Sequence, residues 1–254
     1  MSEQIRIQRG DDGVLAISLT RPAQRNAITV EMYAALADAI AGAADDPSVR
    51  LITLRGEGAD FTAGNDLGDF LKQADAAEEM PVWRLLRALA VNEVPLIAAV
   101  NGNAVGIGTT LLFHCDFVLA EDGARFVMPF VDLGLVPEAA SSLLLPQLAG
   151  RRAAARLLLL GDPFDAADAL AIGLASHVVA KDGLDAALSA LVAKLLAKPV
   201  EALRLTQQLL RRGQRDTVLE RMAIENAHFG ERLNSDEVRQ AIAGFFAARS
   251  KASA

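Results

Sequence analysis

Cysteine is nearly missing from this chain: Cys115 stands alone among 254 residues. A single thiol cannot close an internal disulfide, so nothing here asks for an oxidising compartment. It lies in the apolar run Thr109–Leu119, where a small buried residue is the reading its surroundings favour over a nucleophile. An excess of positive charge is missing too. The formal net charge is −7, which argues against a nucleic-acid footprint but leaves local anion sites open. The pairs Arg151-Arg152 and Arg211-Arg212 read as solvated helix faces. No apolar run is long enough to span a bilayer. The start, Met1-Ser2-Glu3-Gln4-Ile5-Arg6, lacks the basic-then-apolar order of a secretory signal, and the end, Lys251-Ala252-Ser253-Ala254, is not of the Ser-Lys-Leu type. These absences set the expectation of a soluble cytoplasmic protein with neither membrane nor nucleic acid as a partner.

Several chemical signatures are also lacking. There is no Gly-Lys-Ser/Thr loop for a nucleotide and no Gly-x-Ser-x-Gly elbow for a nucleophilic serine. His114, His177 and His228 are far apart and form no metal-ligand pair, so no metal is expected. His114 reads as a satisfied core histidine, and the other two as surface or interface groups. Gly106-Ile107-Gly108 follows a strand and leads into a helix, as a dinucleotide fingerprint would, but Leu111 stands where its third glycine belongs.

What is present is an ordinary globular composition, 52% hydrophobic and 22% charged, in a chain long enough for a substantial core. Ile5–Arg9 and Val14–Leu19 read as a hairpin. Thr29 is placed to cap a helix from Val30 to Ala44. Strands are expected at Val49–Leu54, Pro95–Val100, Phe117–Ala120, Arg125–Met128 and Ala175–Ala180. Helices are expected around Val82–Val91, Gly108–His114, from Pro137 onward with a break or offset at Pro146, and from Asp162 to Gly173. From Leu184 only helical periodicity remains. The organisation predicted is an α/β core over 1–197 followed by a helical region over 198–254.

Two glycine turns interrupt that alternation, each after an apolar strand: Phe61-Thr62-Ala63-Gly64-Asn65-Asp66-Leu67 and Val100-Asn101-Gly102-Asn103-Ala104-Val105-Gly106-Ile107-Gly108. Glycine permits sharp turns and close approach of a ligand to the main chain. Two such turns can aim two backbone N–H groups at a developing oxyanion, so a site stabilising an enolate is expected. One carboxylate, Glu138, sits among apolar or small neighbours, Leu135-Val136-Pro137 before it and Ala139-Ala140-Ser141-Ser142 after it. Such surroundings raise a carboxyl pKa toward that of a useful base. A first-turn glutamate favoured by a helix dipole would look the same in sequence. Asp66 reads as a turn aspartate that bonds loop amides.

These motifs together resemble the crotonase superfamily, the enoyl-CoA hydratase/isomerase fold. The resemblance runs from Arg21-Pro22 and Asn26-Ala27-Ile28-Thr29, through both glycine turns, to Ala169-Leu170-Ala171-Ile172-Gly173-Leu174-Ala175. It implies a spiral of ββα turns with helical C-terminal segments, assembled as a trimer or a pair of trimers. It places the two oxyanion amides on Asn65 and Ile107. It implies that coenzyme A lies along Arg25, Asn26, Ala27 and the turns carrying Ala63, Gly64, Asp66 and Gly106, with Lys251 or Arg249 near a phosphate. Coenzyme A would enter as part of the substrate, with no separate cofactor.

Hydratases of this type use two glutamates. Thr110 and Phe130 stand at those positions here, so water addition is poorly supported. Val136-Pro137-Glu138-Ala139-Ala140-Ser141-Ser142 instead resembles the Δ3,Δ2-enoyl-CoA isomerase branch, which assigns proton transfer to one glutamate, matched by Glu138. The expected function is isomerisation of a 3-enoyl-CoA. Hydration or another crotonase reaction, isomerisation of a ring-containing acyl-CoA, and acyl-CoA binding without turnover are the alternatives. The walls of the acyl pocket are expected in Leu71–Trp83.

Overall fold

A computed structural model of the chain describes residues 4–70 and 80–252. The part of the expected acyl-pocket wall at 71–79 lies outside them. Six strands form the main sheet: β1 (Ile5–Arg9), β2 (Val14–Leu19), β3 (Leu51–Gly56), β4 (Leu96–Val100), β6 (Phe117–Glu121) and β9 (His177–Val179), adjacent in that order. The β1–β2 hairpin is antiparallel and every later pairing is parallel. A smaller sheet joins β5 (Asn103–Val105), β7 (Arg125–Val127) and β8 (Phe164–Asp165).

Alternation along the parallel strands separates two apolar layers. Ile52 and Leu54, Leu96 and Ala98, and Val118 and Ala120 enter the principal core. There they join α1 (Val30–Asp45), through Met32, Leu36 and Ile40, and α3 (Pro81–Val91), through Leu85, Leu86 and Leu89. The intervening Leu51, Ile97, Ala99 and Leu119 face the other way and are covered by Leu184, Leu188, Leu191 and Leu195 of α7 (Leu184–Leu196). Three further helices complete the chain: α8 (Val200–Arg212), α9 (Arg215–Leu233) and α10 (Asp236–Ala252). No described helix is long and apolar enough to cross a membrane.

Most expected elements are present, with three physical corrections. The strand expected from Val49 begins at Leu51, because Val49 closes the turn from Asp46, its N–H donating to the Asp46 carbonyl at 3.0 Å. The apolar stretch after Gly106 is a single α-turn, α4 (Ile107–Thr110), that tightens into a 3-10 turn over Leu111–His114. Pro137 does not open a helix. Ala139 and Ala140 are left-handed, with φ of 59° and 56°, and α5 starts at Ser141 and runs to Leu159. Pro146 sits inside α5, and the break comes at Gly150, with φ 76° and ψ 160°. Pro146 is the sixth residue of α5, so its missing N–H leaves the Ser142 carbonyl without its i→i+4 donor, yet the backbone stays helical there.

Candidate active site

Strands β2, β3 and β4 are parallel neighbours, so the loops leaving their C-terminal ends emerge at one edge of the sheet, where ligands of parallel α/β sheets bind. Those loops are the Arg21–Thr29 segment and the two glycine turns. Backbone bonds tie them together. The Phe61 N–H donates to Asn101 O at 2.7 Å, Thr62 N–H to Asn103 O at 3.0 Å and Val105 N–H to Thr62 O at 3.1 Å. On the other side, Ala63 N–H donates to Arg25 O at 2.8 Å, Ile28 N–H to Gly64 O at 2.8 Å and Asp66 N–H to Ile28 O at 2.9 Å. The approach is close enough to require glycine. A Cβ on Gly64, whose φ is +83°, would lie 2.6 Å from the Val105 carbonyl oxygen, and one on Gly108 would lie 2.4 Å from Thr62 Cγ2.

The structure thus brings Arg25, Asn26, Ala27, Ala63, Gly64, Asn65, Asp66, Gly106 and Ile107 to one edge. The N–H groups of Asn65 and Ile107 follow the two positive-φ glycines Gly64 and Gly106. Among the described residues neither N–H has a hydrogen-bond acceptor. Gly106, at φ 56° and ψ −117°, holds a conformation outside the allowed regions of other residues. The preceding turn therefore frees Ile107 N–H at the start of α4.

The expected coenzyme A contacts divide by their own bonding. Arg25 is half-exposed and held by Asp60 through Nε at 2.7 Å. Burial alone would raise the Asp60 carboxyl, but Arg25 and two bonds from Asn103 outweigh it and hold the group below its ordinary value. The Asn26 side chain, by contrast, is fully buried and committed. Its Oδ1 accepts from Arg21 N–H at 2.9 Å, and its Nδ2 donates to the Glu57 and Asp60 carbonyls at 2.8 and 2.7 Å. Asp66 pairs with the Arg21 guanidinium at 3.0 Å and caps the Asp69 N–H at 3.4 Å, in keeping with its reading as a turn aspartate. Lys251 belongs to the last turn of α10, and its side chain, like that of Arg249, is outside the described set.

Glu138 is 1% exposed and lies before α5, so the first-turn helix reading does not apply. Among the described residues its carboxylate has one hydrogen-bond partner, the Thr110 hydroxyl, which donates at 3.4 Å. Burial pushes the Glu138 carboxyl up to about 8, the neighbouring Glu225 carboxylate adds to the rise, and Thr110 opposes it. Thr110, the position of an expected hydratase glutamate, therefore touches the acid that remains. Phe130, at the other such position, is a buried apolar residue.

Sequence reasoning missed three supports of this site. The Tyr33 hydroxyl, on α1, donates to Asn65 Oδ1, and the buried phenol is raised well above its ordinary value by burial and by the Glu138 charge. The Glu225 carboxylate, on α9, accepts from Ala140 N–H at 2.6 Å, Ser142 N–H at 3.0 Å and Ser142 Oγ at 2.5 Å. His114 is a satisfied core histidine, as read, but its Nε2–H donates at 2.9 Å to the carbonyl of Ala139, the residue after Glu138. Burial depresses its pKa to about 4, so it is neutral. A glutamate on the buried side of an otherwise amphipathic α9 was the available signal for Glu225, and nothing in sequence names its partner. Cys115 is a free thiol pushed well up by burial, as an inert packed residue should be. No group of three or more metal-ligating side chains occurs among the described residues.

The family model described as enoyl-CoA hydratase/isomerase matches residues 9–252. The 1,2-epoxyphenylacetyl-CoA isomerase of Escherichia coli is 34% identical over 249 residues, covering 94% of each chain. The peroxisomal enoyl-CoA delta isomerase 3 of Mus musculus is 30% identical over 248 residues, 95% of this chain and 78% of the relative. Among solved structures, the enoyl-CoA hydratase/isomerase from Pseudoalteromonas atlantica superposes with a TM-score of 0.91 at 38% identity, over 96% of this chain and 97% of that one. Relatives named as hydratases stand at comparable identity.

Proposed function

The chain belongs to the enoyl-CoA hydratase/isomerase family, and we propose that within it the protein moves the double bond of an acyl-CoA thioester from position 3 to position 2. The carrying observation is the solitary state of Glu138: a buried carboxyl with one hydroxyl partner, its pKa near 8, where a base and its conjugate acid are both accessible. Glu138 takes the C2 proton. The C2–H electrons pass into the conjugated system, and the resulting dienolate places negative charge on the thioester oxygen, which the Asn65 and Ile107 N–H groups receive. Glu138 then returns its proton at C4, leaving the double bond between C2 and C3. One acid serves both steps because the proton comes back to the same delocalised system. Each uncommitted donor of this kind contributes ~10²–10³-fold in rate.

Water addition needs a second group to hold and deprotonate water. Phe130 offers none, and both oxygens of Glu225 are taken up by the turn. The coenzyme A moiety would lie along the Arg25 and Ala63–Asp66 segments as part of the substrate, so no separate cofactor takes part in the proposal.

The test is Glu138→Gln assayed with a 3-enoyl-CoA, following the rise of absorbance as the double bond conjugates with the thioester. A loss of ~10²–10⁴-fold is expected. Near-full activity would remove Glu138 from the mechanism. Crotonyl-CoA hydration faster than isomerisation would favour the hydratase reading. Tight acyl-CoA binding without C2 proton exchange in deuterated water would favour a binding protein.

A further inference from the structure

Glu138 stands on a turn that does not hold itself. Ala139 and Ala140 both adopt φ near +60°, a region that costs a residue with a Cβ ~1–2 kcal/mol. The turn is anchored from two sides. His114 donates to Ala139 O, while Glu225 gathers the N–H groups of Ala140 and Ser142 together with the Ser142 hydroxyl. Glu225 comes from a helix 85 residues further along the chain and is 5% exposed. Its two oxygens divide the work: Oε2 takes Ala140, and Oε1 takes both Ser142 donors. Burial raises the Glu225 carboxyl above its ordinary value, while the Ser142 and Ala140 donors and the Arg221 guanidinium oppose that rise; accepting on both oxygens is what the ionised form does. A buried charge satisfied by backbone donors of one turn is a stronger anchor than neutral bonds would be.

We propose that Glu225 is the positioning residue of this site, acting through Glu138: it holds the left-handed turn that aims the Glu138 carboxyl and keeps a second negative charge beside it. The proposal rests on the reading of Glu138 as the proton carrier. The titratable and charged groups around the pair, among the described residues, are few. Tyr33 faces Glu138 from α1, His114 bonds the Ala139 carbonyl with Arg211 on the His114 carbonyl, and Arg221 of α9 itself approaches Ser142 Oγ at 3.4 Å and favours the charged form of Glu225. Tyr33 and His114 are both neutral near pH 7, so Glu225 is the neighbour whose charge opposes ionisation of Glu138.

The experiment separates charge from reach. Glu225→Gln removes the charge at nearly constant size, and Glu225→Asp keeps the charge but shortens the arm. Each full-length variant is read in two ways. Steady-state kinetics with a 3-enoyl-CoA give kcat and KM. Carbon NMR of protein labelled at glutamate side-chain carboxyls gives the Glu138 titration, assigned by the signal lost in Glu138→Gln. For Glu225→Gln, the Glu138 titration should move down by about one pH unit, with kcat about tenfold or more lower and KM nearly unchanged. Glu225→Asp should lose kcat while keeping the high titration. A folded Glu225→Gln protein with unaltered titration and kcat would overturn the proposal. Should that variant not fold, Glu225→Asp with wild-type kcat would overturn it equally. If the wild-type protein turns over no 3-enoyl-CoA but the titration still falls in Glu225→Gln, the functional reading fails and only the charge coupling between Glu225 and Glu138 stands, which overturns the positioning role in that reaction.

Discussion

Between pH 6 and pH 9 the second-order rate constant with a 3-enoyl-CoA should rise along a single limb, because the acting form of Glu138 is its carboxylate. Burial, then Glu225, push that carboxyl up to about 8. In the free enzyme about one molecule in a hundred is then ionised at pH 6, about one in ten at pH 7 and about half at pH 8. The expected kcat/KM therefore climbs about tenfold from pH 6 to 7, about fivefold from 7 to 8, and levels off above 9. Since kcat/KM reports the free enzyme, its limb follows the Glu138 carboxyl before substrate is bound. The apparent value belongs to Glu138 and Glu225 together, as the two carboxyls interact. The assay is the rise of conjugated-thioester absorbance at substrate concentrations far below KM, repeated on Glu138→Gln, whose residual rate should lack the limb. A flat profile across this range, or a limb near the ordinary carboxyl value of 4.5, would refute both the burial argument and the assignment of the base.

The same burial makes a stability prediction of opposite direction. Folded Glu138 binds its proton more tightly than the unfolded chain, so its contribution is fully present below pH ~4.5 and is lost as pH rises to about 8; Glu138→Gln should raise the melting temperature at pH 9 relative to wild type, by an amount reflecting a few kcal/mol, and the gain should vanish at pH 4. Equal shifts at both pH values in thermal denaturation would contradict it. Gly64→Ala combines a left-handed φ with a contact to the Val105 carbonyl. It should destabilise the fold by ~1–3 kcal/mol and lower kcat by ~10²-fold or more by separating the two donor turns, with wild-type kcat in a folded variant as the contrary result.

The two glycine turns were readable because their constraint is local. A positive φ admits few residues, and a strand followed by glycine says where the chain must bend. The same holds for Thr29, whose hydroxyl accepts the Met32 N–H at 3.3 Å. The helix expected from Asp162 instead begins at Ala166 as α6 (Ala166–Ala171), because Phe164 and Asp165 pair as a strand and Asp165 caps the helix by accepting from Asp168 N–H at 2.9 Å. The Ala139–Ala140 turn was not readable for the opposite reason. Alanine is the best helix former, and Pro137 with Glu138 looks like a helix opening. The left-handed pair is imposed from outside by His114 and by Glu225, and no local propensity carries that information. Asn26 shows the same limit in reverse. Its place in the loop beside the Ala63–Asp66 turn was legible, yet its side chain is spent on the Arg21 N–H and two carbonyls, which only tertiary contacts reveal.

These two kinds of constraint divide the site's chemistry between them. The proposed oxyanion donors are main-chain groups freed by turns, so side-chain replacement at Asn65 or Ile107 leaves the N–H in place and should matter less than replacement at Glu138. The acid depends on long-range contacts: burial raises its pKa, Thr110 touches it where another acid could have stood, and α9 supplies the charge that holds its turn. Two left-handed alanines together cost ~2–4 kcal/mol, comparable to what charge-assisted bonds to Glu225 contribute at ~1.5–3 kcal/mol each. The strained turn thus persists only while the C-terminal helices are docked. Under the proposed mechanism the helical tail holds the proton carrier in place: a lesion that undocks α9 should remove proton transfer while the two donor turns, built on β3 and β4, remain intact.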